Sequence, residues 1–214
     1  MSMSLVEVYR RVHGGTADEI REQVKRTHRE NLEGDFDPVI RGYKAMTRLF
    51  LEGDGALDSF TEEWIPEEFQ GKGYSRLDAI YAFPVLGLEL RNATRFQGED
   101  IVEGRHVAVT LLVNPSEVLV GSMKEVDEVL NDYNKNGRRN MEGAPKYWPN
   151  VMTLESFLED YNPLGEGATW ITKDGVTYEK PEETAWISKS GIIYERPEVL
   201  IPVWDRDNII ILER

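Results

Sequence analysis

Residues 169–182, TWITKDGVTYEKPE, are echoed sixteen positions later by residues 185–198, AWISKSGIIYERPE. Each copy reads as a β-hairpin, with Asp174-Gly175 and Ser190-Gly191 as the turns and the aromatic-bearing arms paired across them. Two copies are too few for a solenoid, which normally needs at least three units. Beyond the second copy, Val199 to Trp204 and Asn208 to Leu212 are apolar runs of strand length. The C-terminal part of the chain is therefore built from strands that pair with near neighbours.

Working outward, Leu5 to Arg10 alternates apolar and polar residues and predicts a first strand, ended by His13-Gly14-Gly15. Thr16 and Glu19 form a capping box for a helix with a thin apolar stripe, Ile20 and Val24. Asp37-Pro38 opens a second helix marked by Val39, Tyr43, Met46 and Phe50. Gly53-Asp54-Gly55 stops it, and a third short helix is expected between Leu57 and Trp64. The segment Tyr74 to Pro84 is compatible with a short helix or a strand-to-helix junction. His106 to Val113 is a β-rich run broken by Asn114-Pro115, and Glu117 to Val120 resumes extended structure. Ser122 and Glu125 suggest another capping box, with a helix through Val126, Val129, Leu130 and Tyr133. Asn134 to Asn150 reads as a long mobile loop. Thr153 then caps a short helix ending near Tyr161. This order predicts one α+β domain over residues 1–214, with N-terminal helices, a mixed or antiparallel central sheet and the tandem hairpin at 169–198.

Composition narrows the functional classes. The 214 residues contain no cysteine, which excludes a disulfide framework, a thiolate metal site and a cysteine nucleophile, and points to a reducing, cytoplasmic setting. No segment approaches the ~20 apolar residues of a membrane span. With 39 acidic against 25 basic residues the net charge is −14, so binding to nucleic-acid backbones is disfavoured. The three histidines, His13, His28 and His106, lack metal-ligand spacing, so no metal is expected. No P-loop and no Gly-x-Ser-x-Gly elbow is present.

What remains is a chain-ordered set: Arg10 at the end of the first strand, Tyr74-Ser75-Arg76 before an aromatic-rich segment, and Glu198 opening a late apolar strand. This order resembles the arginine-serine-glutamate arrangement of the ADP-ribosyltransferase superfamily. The phrases Val8-Tyr9-Arg10, Ser75-Arg76-Leu77 with Tyr81-Ala82-Phe83, Val113 to Leu119, and Pro197-Glu198-Val199-Leu200-Ile201-Pro202 look like strands of that superfamily. The resemblance is a skeleton spread over most of the chain. It implies NAD as a substrate and transfer of ADP-ribose to an acceptor that the sequence does not identify.

The chemistry of splitting NAD suits such a set. By analogy, Arg10 would grip the pyrophosphate through paired charge-assisted hydrogen bonds. Ser75 would position the nicotinamide ribose. Glu198 would stabilise the oxocarbenium character that develops as the nicotinamide bond breaks, as carboxylates do in glycoside hydrolysis. Tyr81 or Tyr194 would stack on the nicotinamide. The chain departs from the superfamily in two places: Tyr74-Ser75-Arg76 stands where a Ser-Thr-Ser motif is usual, and Arg196 stands where a second glutamate or glutamine is frequent. Glu182 holds in the first repeat the place of Glu198 in the second, but only Glu198 runs directly into Val199 to Pro202.

Each member also has an ordinary structural reading. Arg10 can be an edge-strand residue, Ser75 a cap partnered by Asp78, and Glu198 a solvated residue after a proline. A second functional class is a non-enzymatic interaction module whose hairpin aromatics, Trp170, Tyr178, Trp186 and Tyr194, form a partner-binding face. A third is an acidic mimic of nucleic acid, disfavoured because the carboxylates are scattered rather than blocked.

Overall fold

Val107, Val109, Leu111 and Val113 are buried on one face of an eight-residue strand, His106–Val113, and this strand organises the first sheet. The computed structural model describes residues 4–27, 29–30, 65–75, 78–85, 93–98, 105–128, 147–163, 170–171, 177–178 and 185–213. Along the chain the described strands are β1 Val6–His13, β2 Ala79–Ala82, β3 Thr94–Arg95, β4 His106–Val113, β5 Leu119–Ser122, β6 Met152–Thr153, β7 Tyr161–Pro163, β8 Trp170–Ile171, β9 Thr177–Tyr178, β10 Ala185–Ser188, β11 Ile193–Glu195, β12 Pro197–Pro202 and β13 Ile210–Leu212. Helix α1 is Ala17–Val24 and helix α2 is Leu154–Asp160. Residues 123–128 are also helical.

β4 pairs antiparallel with β1 over the whole strand, Val6 opposite Val113 through His13 opposite His106. β13 covers its other edge at Leu112 to Thr110, and β3 adds a short parallel pairing. A second sheet has the order β2-β12-β5-β6, with β12 antiparallel to both β2 and β5. The two sheets meet at one antiparallel bridge between Tyr9 and Phe83, whose backbones exchange hydrogen bonds of 2.8 and 2.7 Å. The fold is thus mixed helix and sheet, with mostly antiparallel pairing.

The main core joins Val8 and Val12 of β1 and the inward residues of β4 to Ile80 and Ala82 of β2, Val120 of β5, and Val199 and Ile201 of β12. Ile20 and Val24, the stripe read from the sequence, pack into it from α1. The expected Thr16–Glu19 capping box is present, and Thr153 caps α2 by accepting from the backbone N–H of Ser156. A second, smaller core lies on the other face of β12 and β5. It contains Tyr74, Ala79, Leu119, Tyr147, Trp148 and Leu200. Alternation along β12 accounts for the division, since Val199 and Ile201 point one way and Glu198 and Leu200 the other.

Both copies of the repeat pair their arms in the same register. Trp186 lies opposite Tyr194 across β10 and β11, and Trp170 lies opposite Tyr178 across β8 and β9. The other edge of β10 pairs with β7. Within Tyr74 to Pro84, residues 79–82 form a strand, so the short-helix reading does not hold there. The helices expected after Asp37 and around Leu57 to Trp64 lie outside the described residues, as does most of Asn134 to Asn150.

Candidate functional site

Glu198 is the second residue of β12 and is 1% exposed. A carboxylate at the centre of a sheet needs hydrogen bonds to offset its lost hydration. The phenol of Tyr147 donates to Glu198 Oε1 at 2.8 Å. Tyr147 itself is fully buried and packs edge-to-face on Trp148, with ring centroids 5.1 Å apart. The phenol reaches the carboxylate because the residue opposite Glu198 on β5 is Gly121. A Cβ there would lie 2.2 Å from Tyr147 Oη and 2.7 Å from Cζ, so any side chain at that position would displace the ring.

Leu200 is the register partner of Tyr81, so Tyr81 shares the outer face of the second sheet with Leu200 and Glu198. Tyr81 packs against the smaller core. Phe83, two residues on from Tyr81, bridges to Tyr9, and this carries the same face onto β1. Along β1, Tyr9 and the exposed Arg11 point away from the face that holds Val8, Arg10 and Val12. Glu198, Tyr81, Phe83, Tyr9 and Arg11 therefore lie on one continuous face, which the smaller core covers at Glu198 and Tyr81.

Arg10 does not. It is 7% exposed and lies on the main-core side of β1 between Val8 and Val12. Its guanidinium donates to the backbone carbonyl of Arg26, just past α1, at 2.7 Å and to that of Tyr81 at 3.3 Å. Burial pushes its pKa down to about 10, opposed by Tyr81 and Glu30, so the group keeps its charge at neutral pH. Arg10 is thus on the main-core side of β1, while alternation along β12 puts Glu198 on the side of the smaller core with Leu200. The edge-strand surface reading of Arg10 is also corrected, because the side chain is buried.

Ser75 lies in the turn before β2. Its hydroxyl donates to Asp78 Oδ2 at 3.3 Å and the backbone N–H of Asp78 approaches it at 3.4 Å, the local pairing of a capped turn. Asp78 also takes an ion pair from Arg29 at 2.7 Å. Tyr194 is 6% exposed in the main core, where it meets Phe157 edge-to-face. Its hydroxyl reaches the carbonyls of Val120 and Asn150, each at 3.3 Å. Burial, then Glu125 and Glu198, hold its phenol well above the usual tyrosine range. Trp186 is 3% exposed and packs on Phe157, so the second hairpin turns its aromatics inward.

Tyr147 and Gly121 were not legible as site residues. Tyr147 sits in the segment read as a loop, and only the pairing of β5 with β12 brings Gly121 opposite Glu198. Among the described residues no group of three or more histidine, aspartate or glutamate side chains is placed to hold a metal ion, and no helix is long and apolar enough to cross a membrane. The chain matches no protein-family model, no curated protein and no solved structure.

Proposed function

We propose that the chain cleaves NAD and transfers ADP-ribose, with its site on the face of the β2-β12-β5 sheet that carries Glu198 and Tyr81, and with Glu198 as the catalytic carboxylate. The observation that carries this reading is a buried glutamate near the start of β12 that accepts a hydrogen bond from the buried Tyr147 phenol, whose ring is seated over Gly121. A carboxylate beside the nicotinamide ribose stabilises positive charge at C1′ as the bond to the pyridine nitrogen lengthens. The bonding electrons leave with nicotinamide. The acceptor nucleophile then bonds to C1′ and releases its proton to solvent or to a base.

In this reading Tyr81, on the same face as Glu198, offers a ring to nicotinamide. Arg11, exposed on the outer face of β1, replaces Arg10 as the cation for the pyrophosphate, because a guanidinium pairs well with phosphate oxygens. Ser75 keeps a local role in the turn. Incubation with NAD and cell lysate followed by mass spectrometry tests the reading. It expects ADP-ribose adducts on lysate molecules or on the chain itself, and the absence of both adducts and free nicotinamide contradicts it.

The burial of Arg10, whose guanidinium is taken up by two backbone carbonyls, favours a second reading, a non-enzymatic interaction module. In that case the partner-binding face is not that of the second hairpin's aromatics, since Trp186 and Tyr194 are in the core. Absence of NAD turnover together with specific retention of a partner would select it.

A further inference from the structure

We propose that Tyr147 is the positioning residue of the site, fixing the orientation of the Glu198 carboxylate, and that Gly121 is present to seat its ring. The proposal rests on the reading of Glu198 as the catalytic carboxylate and deepens it. Three observations converge. The phenol donates to Oε1 at 2.8 Å, which fixes one oxygen and so the plane of the carboxylate. The ring is fully buried against Trp148 and has little freedom to take another rotamer. Gly121, directly opposite Glu198, is the only residue type compatible with the ring, since a Cβ would come within 2.2 to 2.9 Å of three of its atoms. The glycine is not there for its backbone, because its φ is not positive, unlike those of Gly71, Gly73, Gly98 and Gly191.

The positioning role has a chemical reason. A carboxylate that must meet a developing cation at C1′ is most effective when its orientation is set beforehand rather than during the reaction. Glu125 and Glu198 both act electrostatically on the nearby Tyr194.

Two single variants and their combination test the proposal in the full chain. Tyr147→Phe removes the donor and keeps the ring, while Gly121→Ala moves the ring and keeps the donor. Each is expected to lower kcat for NAD cleavage roughly 10-fold, as befits loss of a hydrogen bond to a charged group, with little change in KM for NAD. The acid limb of the pH–rate profile should move to higher pH in both. The double variant should be no worse than the more damaged single one, because both changes break the same contact. The glutamate side-chain carboxyl carbon resonance that disappears in Glu198→Gln provides a reading independent of turnover, and it should shift in both single variants. A resonance that stays in place in both, or a KM effect with kcat and the pH profile unchanged, overturns the proposal. A resonance that shifts in a protein that never consumes NAD supports the coupling of Tyr147 to Glu198 and overturns the transferase reading instead.

Discussion

The guanidinium of Arg10 lies 2.7 Å from the backbone carbonyl of Arg26 and so ties β1 to the chain leaving α1. A cation at the C-terminal end of a helix satisfies carbonyls that the helix itself leaves unpaired. A second donation, to the carbonyl of Tyr81, joins the same side chain to β2. Arg10→Ala is therefore expected to destabilise the fold by about 2–4 kcal/mol, through loss of two hydrogen bonds from a buried cation and a cavity beside Val8 and Val12. Urea unfolding measures this. An unchanged midpoint, or a large loss of NAD affinity without loss of stability, contradicts the structural role.

Trp186 should be a large contributor to the core. It packs on Phe157 at 4.9 Å between ring centroids and is 3% exposed. Trp186→Ala is expected to cost about 3–5 kcal/mol, the usual range for removing a buried tryptophan. Calorimetric or denaturant unfolding checks it, and a cost below 1 kcal/mol would remove the second hairpin from the account of the core.

Stability should fall in alkali through Tyr74. Burial, reinforced by Glu117 and Asp205, pushes its phenol from 10.0 to about 12. In the unfolded chain the phenol ionises first, so between pH 10 and about 12 the unfolded state has lost a proton that the folded state keeps. Stability is then full below pH 10 and declines as pH rises through this window. Tyr74→Phe should lessen that decline, leaving the part that comes from the raised Tyr194 and Tyr161 phenols, while losing the hydrogen bond to the Glu117 carbonyl at all pH values. Denaturant titrations across the window give the slope, and equal slopes in the two proteins would exclude Tyr74 as its source.

Much of the local architecture was legible. A β-rich run placed β4 at His106–Val113, and the Thr16–Glu19 and Thr153 caps marked the starts of α1 and α2, because these signals are local and act through neighbouring backbone. The register of the repeat was legible too, since matched Trp, Gly and Tyr positions impose matched pairing. The candidate site was legible only in part. Glu198 stood out as an acidic residue leading an apolar strand, but its partner Tyr147 is 51 positions away and its seat, Gly121, gains meaning only from strand pairing. The face of Arg10 was recoverable in principle: Val8 and Val12 flank it at the strand period, so whatever face those two bury takes the arginine with them.

The most direct test of the central claim is the release of nicotinamide from NAD by the wild-type chain and by Glu198→Gln, measured side by side with NAD binding. Glutamine keeps the shape and the capacity to accept from Tyr147, and loses the charge that stabilises the cation at C1′. The account predicts release by the wild-type protein, a fall of roughly 100-fold or more in the variant, and comparable NAD affinity in both. Equal release by the two proteins, or none by the wild type at saturating NAD, would contradict it.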